Sequence, residues 1–188
     1  MRNLIVFLHS SVDGMVEGPN GTMDIGFVAY NEELEAVANQ VLSTVDTILW
    51  GRKTYEMMYG YWPTMLDNPD ASDHERNHAA WIEKVEKLVC STSLEKAGWN
   101  NTILLKGDIV GQLKQLKMQE GGDILVLGSS RLAKFLMEEG LIDVLRLSIS
   151  PVSVGSGFRL LEGIAAEFQL QESHVLKSGV LAVTYEIK

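Results

Sequence analysis

The sequence predicts an α/β domain with a largely parallel central sheet. Short β-rich runs alternate with helical patterns, two apolar runs end in glycine turns that open helices, and the last third is β-rich. The first strand spans Asn3 to His9. The stretch from Asp13 to Asp24 carries Gly14, Gly18, Pro19, Asn20 and Gly21 and reads as a loop rather than regular structure. Between Asn31 and Ser43, Leu34, Val37, Ala38, Val41 and Leu42 follow helical spacing, with Asn31 as N-cap and glutamates in the first turn. Thr47 to Trp50 is a short strand that ends at Gly51, and Lys53 to Met58 begins the next helix.

The stretch from Tyr61 to Glu75 contains Pro63, Pro69 and Asn68 among small polar and acidic residues, and is expected to be an exposed connection. His74 and His78 stand at helical i, i+4 spacing. With no HExxH pattern and no third ligand nearby, they are expected to be solvated helix residues, and no metal is implied. Strands at Lys87 to Cys90 and Thr102 to Leu105 stop in polar residues, and a helix runs from Ile109 to Met118. Asp123 to Leu127 is the most apolar strand and ends in Gly128-Ser129-Ser130; a helix from Arg131 to Glu139 stops at Gly140, a suitable C′ residue. Val144 to Ile149 and Val180 to Ile187 supply two strands that close the sheet. With 188 residues and no repeat or linker, the chain reads as one domain.

Acidic residues outnumber basic ones by 25 to 16, and a net charge of −9 argues against a nucleic-acid partner. A few cations and backbone N–H groups still suffice for a local anion site. The single cysteine, Cys90, cannot form an internal disulfide and fits a reducing cytoplasm. The apolar run Leu4 to Leu8 is too short for a span or signal peptide and reads as a buried strand, so no membrane partner is expected.

Gly51-Arg52-Lys53-Thr54 sits where a strand turns into a helix, so unpaired helical N–H groups, a bidentate guanidinium and a hydroxyl converge as a phosphate seat. Gly128-Ser129-Ser130-Arg131 repeats the arrangement. Two such turns beyond the carboxyl ends of strands suit one extended, polyphosphorylated ligand such as a dinucleotide. GxGxxG and P-loop patterns are both absent, which argues against ordinary Rossmann binding and against ATP hydrolysis.

These motifs have an order: Ser11-Val12-Asp13-Gly14, then Leu49-Trp50-Gly51-Arg52-Lys53-Thr54-Tyr55-Glu56, Val126-Leu127-Gly128-Ser129-Ser130, Gly140-Leu141-Ile142-Asp143 and Pro151-Val152-Ser153-Val154-Gly155-Ser156-Gly157. The chain thereby resembles the dihydrofolate-reductase-like family over nearly its whole length, and most closely the branch of the riboflavin-biosynthesis reductase (RibD C-terminal) domain. The resemblance implies a three-layer α/β/α fold and an NADPH-dependent reductase acting on C=N or C=O of a small pterin-like or ribosylaminopyrimidine-like substrate. It implies that Gly51, Arg52, Lys53 and Thr54 hold phosphates, with Arg52 near the adenosine 2′-phosphate and Ser91 and Thr92 beside it. Gly128, Ser129, Ser130, Arg131 and Leu132 would lie along the pyrophosphate, and Asp13, Gly14, Met15 and Val16 would flank the nicotinamide.

Dihydrofolate reductases place a carboxylate on the first helix. Glu35 falls near that position and is a candidate acid, although its spacing equally suits a solvated helix flank. Asp24 is the second candidate acid, with a turn-forming role as the alternative. His9, at a strand end near the expected nicotinamide, is placed either to supply a proton or to pair with backbone. Trp62, Trp81 and Trp99 are expected to pack rather than stack on a substrate. The sequence has no basic cluster reserved for a substrate phosphate, and no deaminase domain accompanies these motifs. The β-rich last third is a candidate homodimer interface. A nucleotide-binding protein of this fold without reductase activity is the alternative.

Overall fold

The computed structural model describes residues 1–21 and 23–188. Strand β1 (Leu4–Ser11) is apolar on both faces, and its side chains alternate between two cores. Leu4, Val6 and Leu8 pack in one core with Leu113 of α4 (Ile109–Lys117) and Ala133 and Leu136 of α5 (Ser130–Glu138). Ile5 and Phe7 pack in the other with Ala38, Val41 and Leu42 of α1 (Glu32–Leu42). That second face continues under α2 (Arg52–Met65) and α3 (Asp73–Lys84), where Tyr55, Met58 and Ile82 meet Ile48, Trp50 and Val89. The result is the expected three-layer α/β/α arrangement.

The remaining strands are β2 (Met15–Glu17), β3 (Val45–Gly51), β4 (Glu86–Cys90), β5 (Thr102–Leu105), β6 (Asp123–Leu127), β7 (Val144–Ser150), β8 (Phe158–Arg159), β9 (Phe168–Val175) and β10 (Leu181–Ile187). The main sheet has eight strands in the order β5-β4-β3-β6-β1-β7-β10-β9. Its strands from β5 through β7 are parallel, and β10 runs antiparallel to both neighbours. The chain passes from β1 to β3 on one side of β6 and later from β6 to β7 across β1. The carboxyl ends of β1, β3 and β6 therefore meet at a topological switch point, where open α/β sheets leave a crevice.

Three expectations need correction. The stretch from Tyr61 to Glu75 is not one exposed connection, because α2 runs through Pro63 to Met65 and α3 begins at Asp73. A reciprocal capping box between Ser72 and Glu75 starts α3, so the linker shrinks to residues 66–72. The Asp13 to Asp24 loop contains a regular piece, β2, whose three buried residues are held by pairing with β8. Three strands rather than two close the sheet; β9 was hidden because as an edge strand it is mostly exposed and reads as polar.

Pairing between β3 and β6 ends at Leu49 and Val126, and side chains continue the connection. The fully buried Trp50 donates its indole N–H to the Leu127 carbonyl at 2.8 Å, and Ser129 Oγ accepts from the Gly51 N–H at 3.1 Å. Trp50→Phe leaves that carbonyl without its indole partner and opens a void beneath both turns. It should lower unfolding stability by about 2–4 kcal/mol, read as a shift in the urea midpoint.

Candidate functional site

Two cavities open at the switch point. The first, about 460 Å³, lies over the ends of β3, β4 and β5 and the start of α5. Gly51, Arg52, Lys53 and Thr54 line it, together with Ser91 and Thr92. Ser129, Ser130, Arg131 and Leu132 form its opposite side. The structure thus brings together most of the phosphate-binding residues expected from the sequence.

The local chemistry suits an anion. Helices α1, α3 and α4 begin with side-chain caps from Asn31, Ser72 and Asp108. Among the described residues helices α2 and α5 have no side-chain cap: Gly51 has none to offer and the Ser129 hydroxyl is engaged by Gly51. Their first N–H groups are therefore left for a ligand. Arg52, Lys53, Lys106 and Arg131 add positive charge around the same cavity. Lys106 was not singled out in the sequence because it follows a short strand with no motif around it. Among the described residues Arg52 is paired only with exposed Glu56, one helical turn on, a weak pair that a phosphate can displace. Cys90, also in the wall, has its thiol pushed up to about 12 by burial and is no nucleophile at neutral pH.

The second cavity, about 370 Å³, lies over the ends of β1 and β6 and reaches between α1, α2 and α3. Gly128 lines this cavity rather than the first, and Val16 joins it. Asp13, Gly14 and Met15 line neither. The Asp13 carboxylate accepts from the Ser11 hydroxyl and from the backbone N–H groups of Val154 and Gly155 at 3.0 and 2.7 Å, which holds it well below the usual carboxylate range. Asp13 thus ties two loops together instead of facing a ligand. At the far end of the same loop, Gly157 approaches the Glu17 carbonyl so closely that a Cβ would lie 2.0 Å from its oxygen. These contacts give the Pro151 to Gly157 motif a structural role in seating β2.

Neither candidate acid lines either cavity. Asp24 Oδ2 accepts from the Asn20 backbone and side chain at 3.0 and 2.9 Å, so Asp24 is a turn former. The Glu35 carboxylate lies 2.8 Å from His74 Nδ1, and His74 Nε2 lies 3.3 Å from the Tyr30 hydroxyl. Tyr30 and His74 both face the second cavity, so Glu35 reaches it through His74. Burial, with the Glu35 charge, pushes the Tyr30 hydroxyl up and keeps it protonated.

His74 and His78 are partly buried rather than freely solvated, which corrects the expectation for them: α3 turns both toward the cavity, and the His78 ring lies 4.4 Å from that of Trp62. Trp62 itself is a cavity wall. Their inward orientation was not legible because the helix that presents them begins inside a stretch that reads as a loop. His9 also lines the cavity, and its Nδ1 is buried with no hydrogen-bond partner among the described residues.

Glu17 belongs to both cavities and was not singled out in the sequence. Only 3% exposed, it accepts from the Ser130 hydroxyl and from Arg131 at 2.8 Å, and so stands as the partition between them.

Comparison with known proteins agrees with this geometry. Residues 2–182 match the model of the RibD C-terminal domain. The chain belongs to that family. It is 28% identical over 186 residues to the Bacillus subtilis (strain 168) protein YyaP, covering 98% of this chain and 94% of YyaP. Among solved structures, a putative riboflavin biosynthesis protein from Shewanella sp. PV-4 superposes with a TM-score of 0.73 at 22% identity, covering 99% of each chain. Dihydrofolate reductase from Enterococcus faecalis, complexed with NADP(H), superposes with a TM-score of 0.59 at 14% identity over 99% of this chain and 96% of that one. The RibD C-terminal domain described here has the dihydrofolate-reductase-like fold, with its two cavities at the switch point of that fold.

Two measurements check the site. Asp13→Ala removes the acceptor of the Val154 and Gly155 amides, and their hydrogen exchange should accelerate relative to the sheet amides. Burial lowers both His9 and His78 from 6.5 to about 4. Between those values the unfolded chain binds protons that the folded chain does not, so the stability they contribute is full above about pH 6.5 and is lost toward pH 4. His78→Phe should reduce the stability lost between about pH 7 and pH 4.5 by about 2 kcal/mol, measured by urea unfolding at the two pH values.

Proposed function

We propose that this RibD C-terminal domain is a reductase that draws hydride from NADPH, with the cofactor's phosphates in the first cavity and a small C=N or C=O acceptor in the second. The observation that carries the proposal is the pair of uncapped helix starts facing one cavity with four cations around it. Free N–H groups and guanidinium forks together are what a polyphosphate needs. The family and the NADP(H) complex of the dihydrofolate reductase neighbour support the same reading.

When bound, NADPH supplies the hydride; the chain supplies binding, position and a proton. Arg52 would exchange Glu56 for the adenosine 2′-phosphate, with the Ser91 and Thr92 hydroxyls alongside. The N–H groups at the start of α5, with Ser130 and Arg131, would hold the pyrophosphate. In the second cavity the Glu35 carboxylate fixes the His74 tautomer with its proton on Nδ1, leaving Nε2 to face the Tyr30 hydroxyl. Tyr30, kept protonated and half exposed, is placed to donate to an acceptor in the cavity and to recover its proton from solvent, because His74 with its proton on Nδ1 has none to give at Nε2.

Titration with NADPH and NADH, followed by cofactor fluorescence, tests the reading. Arg52→Ala should weaken NADPH by roughly 10- to 100-fold and leave NADH nearly unchanged, because only NADPH carries the 2′-phosphate. Equal affinity of wild type and variant for NADPH would remove Arg52 from the site. NADPH binding with no oxidation of NADPH against pterin or pyrimidine acceptors would make the chain a nucleotide-binding protein instead.

A further inference from the structure

The two cavities divide the charge of the site between them. Four cations line the first, whereas none of the described residues lining the second is Lys or Arg, and Thr22 is uncharged. The ionisable groups of the second cavity are Glu17, Glu75, Tyr30, Tyr61 and the three histidines. Glu17 is already bound to Ser130 and Arg131. Glu75 is held below the ordinary carboxylate value by the Ser72 amide and hydroxyl and by the Tyr61 hydroxyl, and so is an anion at neutral pH.

The histidines do not replace the missing cation. Burial keeps His9 and His78 neutral near pH 7, and His74 is committed to Glu35. The walls are aromatic and aliphatic: Phe7, Tyr30 and Trp62 with Met23, Ile25 and Leu127. A phosphate dianion placed there would lose its water without gaining a counter-ion and would face carboxylates as well. A flat ring loses little water and gains stacking, and amino groups on it would find acceptors in the carboxylates.

We infer that the acceptor of this cavity is a flat one- or two-ring heterocycle, uncharged or amine-bearing, that carries neither phosphate nor carboxylate. This rests on the reductase reading above. Of the two substrate classes implied by the resemblance, it selects a pterin-like or dephosphorylated pyrimidine ring over one carrying a ribose phosphate. Charge is the reason, because the cavity has the size for the ring but no group to neutralise the phosphate.

The test uses a pair of pyrimidines that differ in that group alone, with a pterin beside them. Binding of 5-amino-6-ribosylaminouracil, of its 5′-phosphate and of unsubstituted pterin is measured by calorimetry on the whole chain saturated with NADP⁺. At least one unphosphorylated ligand should bind, and the 5′-phosphate should bind at least about 100-fold more weakly than its unphosphorylated counterpart. Equal or tighter binding of the phosphate, or no binding of either unphosphorylated ligand, would overturn the inference. Tyr61→Arg places a cation at the exposed rim of the same cavity and should narrow the difference at least about tenfold; no narrowing would overturn the role of charge. Saturation by NADP⁺, read separately from cofactor fluorescence, tells a failed cofactor assignment from a failed substrate assignment.

Discussion

The lacing of β3 to β6 beyond their last paired residues is the constraint on which the site depends. The sheet brings the two strand ends side by side, and the Trp50 indole and Ser129 hydroxyl then tie one glycine turn to the other. The consequence is chemical as well as mechanical. Ser129 would ordinarily cap α5, but its oxygen is engaged by Gly51, so the first N–H groups of α5 remain available. The bond that aligns the two turns also leaves one of them able to receive an anion. Without these two bonds the helix starts would be held together only by strand pairing that ends at Leu49 and Val126.

Partition is the second theme. An acidic protein with a net charge of −9 gathers Arg52, Lys53, Lys106 and Arg131 around one cavity and keeps cations away from the other. Glu17 stands between them, buried, with its charge offset by Arg131 and hydrogen-bonded to Ser130. A buried carboxylate without such partners would be costly, so this contact also specifies where β2 must lie. The loop Pro151 to Gly157 secures that position from the other side through the Asp13 carboxylate and the close approach of Gly157 to Glu17.

The physical difference between the cavities extends to protons. His9, His78 and Tyr30 lie in partly desolvated surroundings where their neutral forms are favoured. Lys87 is another buried group, fully inside the protein, with its ammonium donating to the carbonyls of Ile82, Glu83 and Val85 at the end of α3. Burial lowers it to about 8. In the sequence it is simply the first residue of a β-rich run.

What the sequence by itself determined follows from short-range physics. Hydrophobic period, N-cap residues and glycine turns located β1, α1, β3, β4, β5, β6 and α5 to within two residues, because those signals lie within a few positions of one another. The Gly51 and Gly128 turns were legible for the same reason, and their ordered spacing pointed to the family. Tertiary structure alone decided what depends on distant neighbours. It carried α2 through Pro63, made a strand of Met15 to Glu17 by pairing it with β8, and formed an edge strand from the polar Phe168 to Val175. It also turned His74 and His78 inward and joined Glu35 to Tyr30 through His74. These contacts link residues up to 44 positions apart in the Tyr30–His74 pair and more than 100 apart at Glu17, and no local periodicity records them. The anion-binding half of the site is therefore written in motifs, whereas the half that selects the acceptor exists only once the chain has folded.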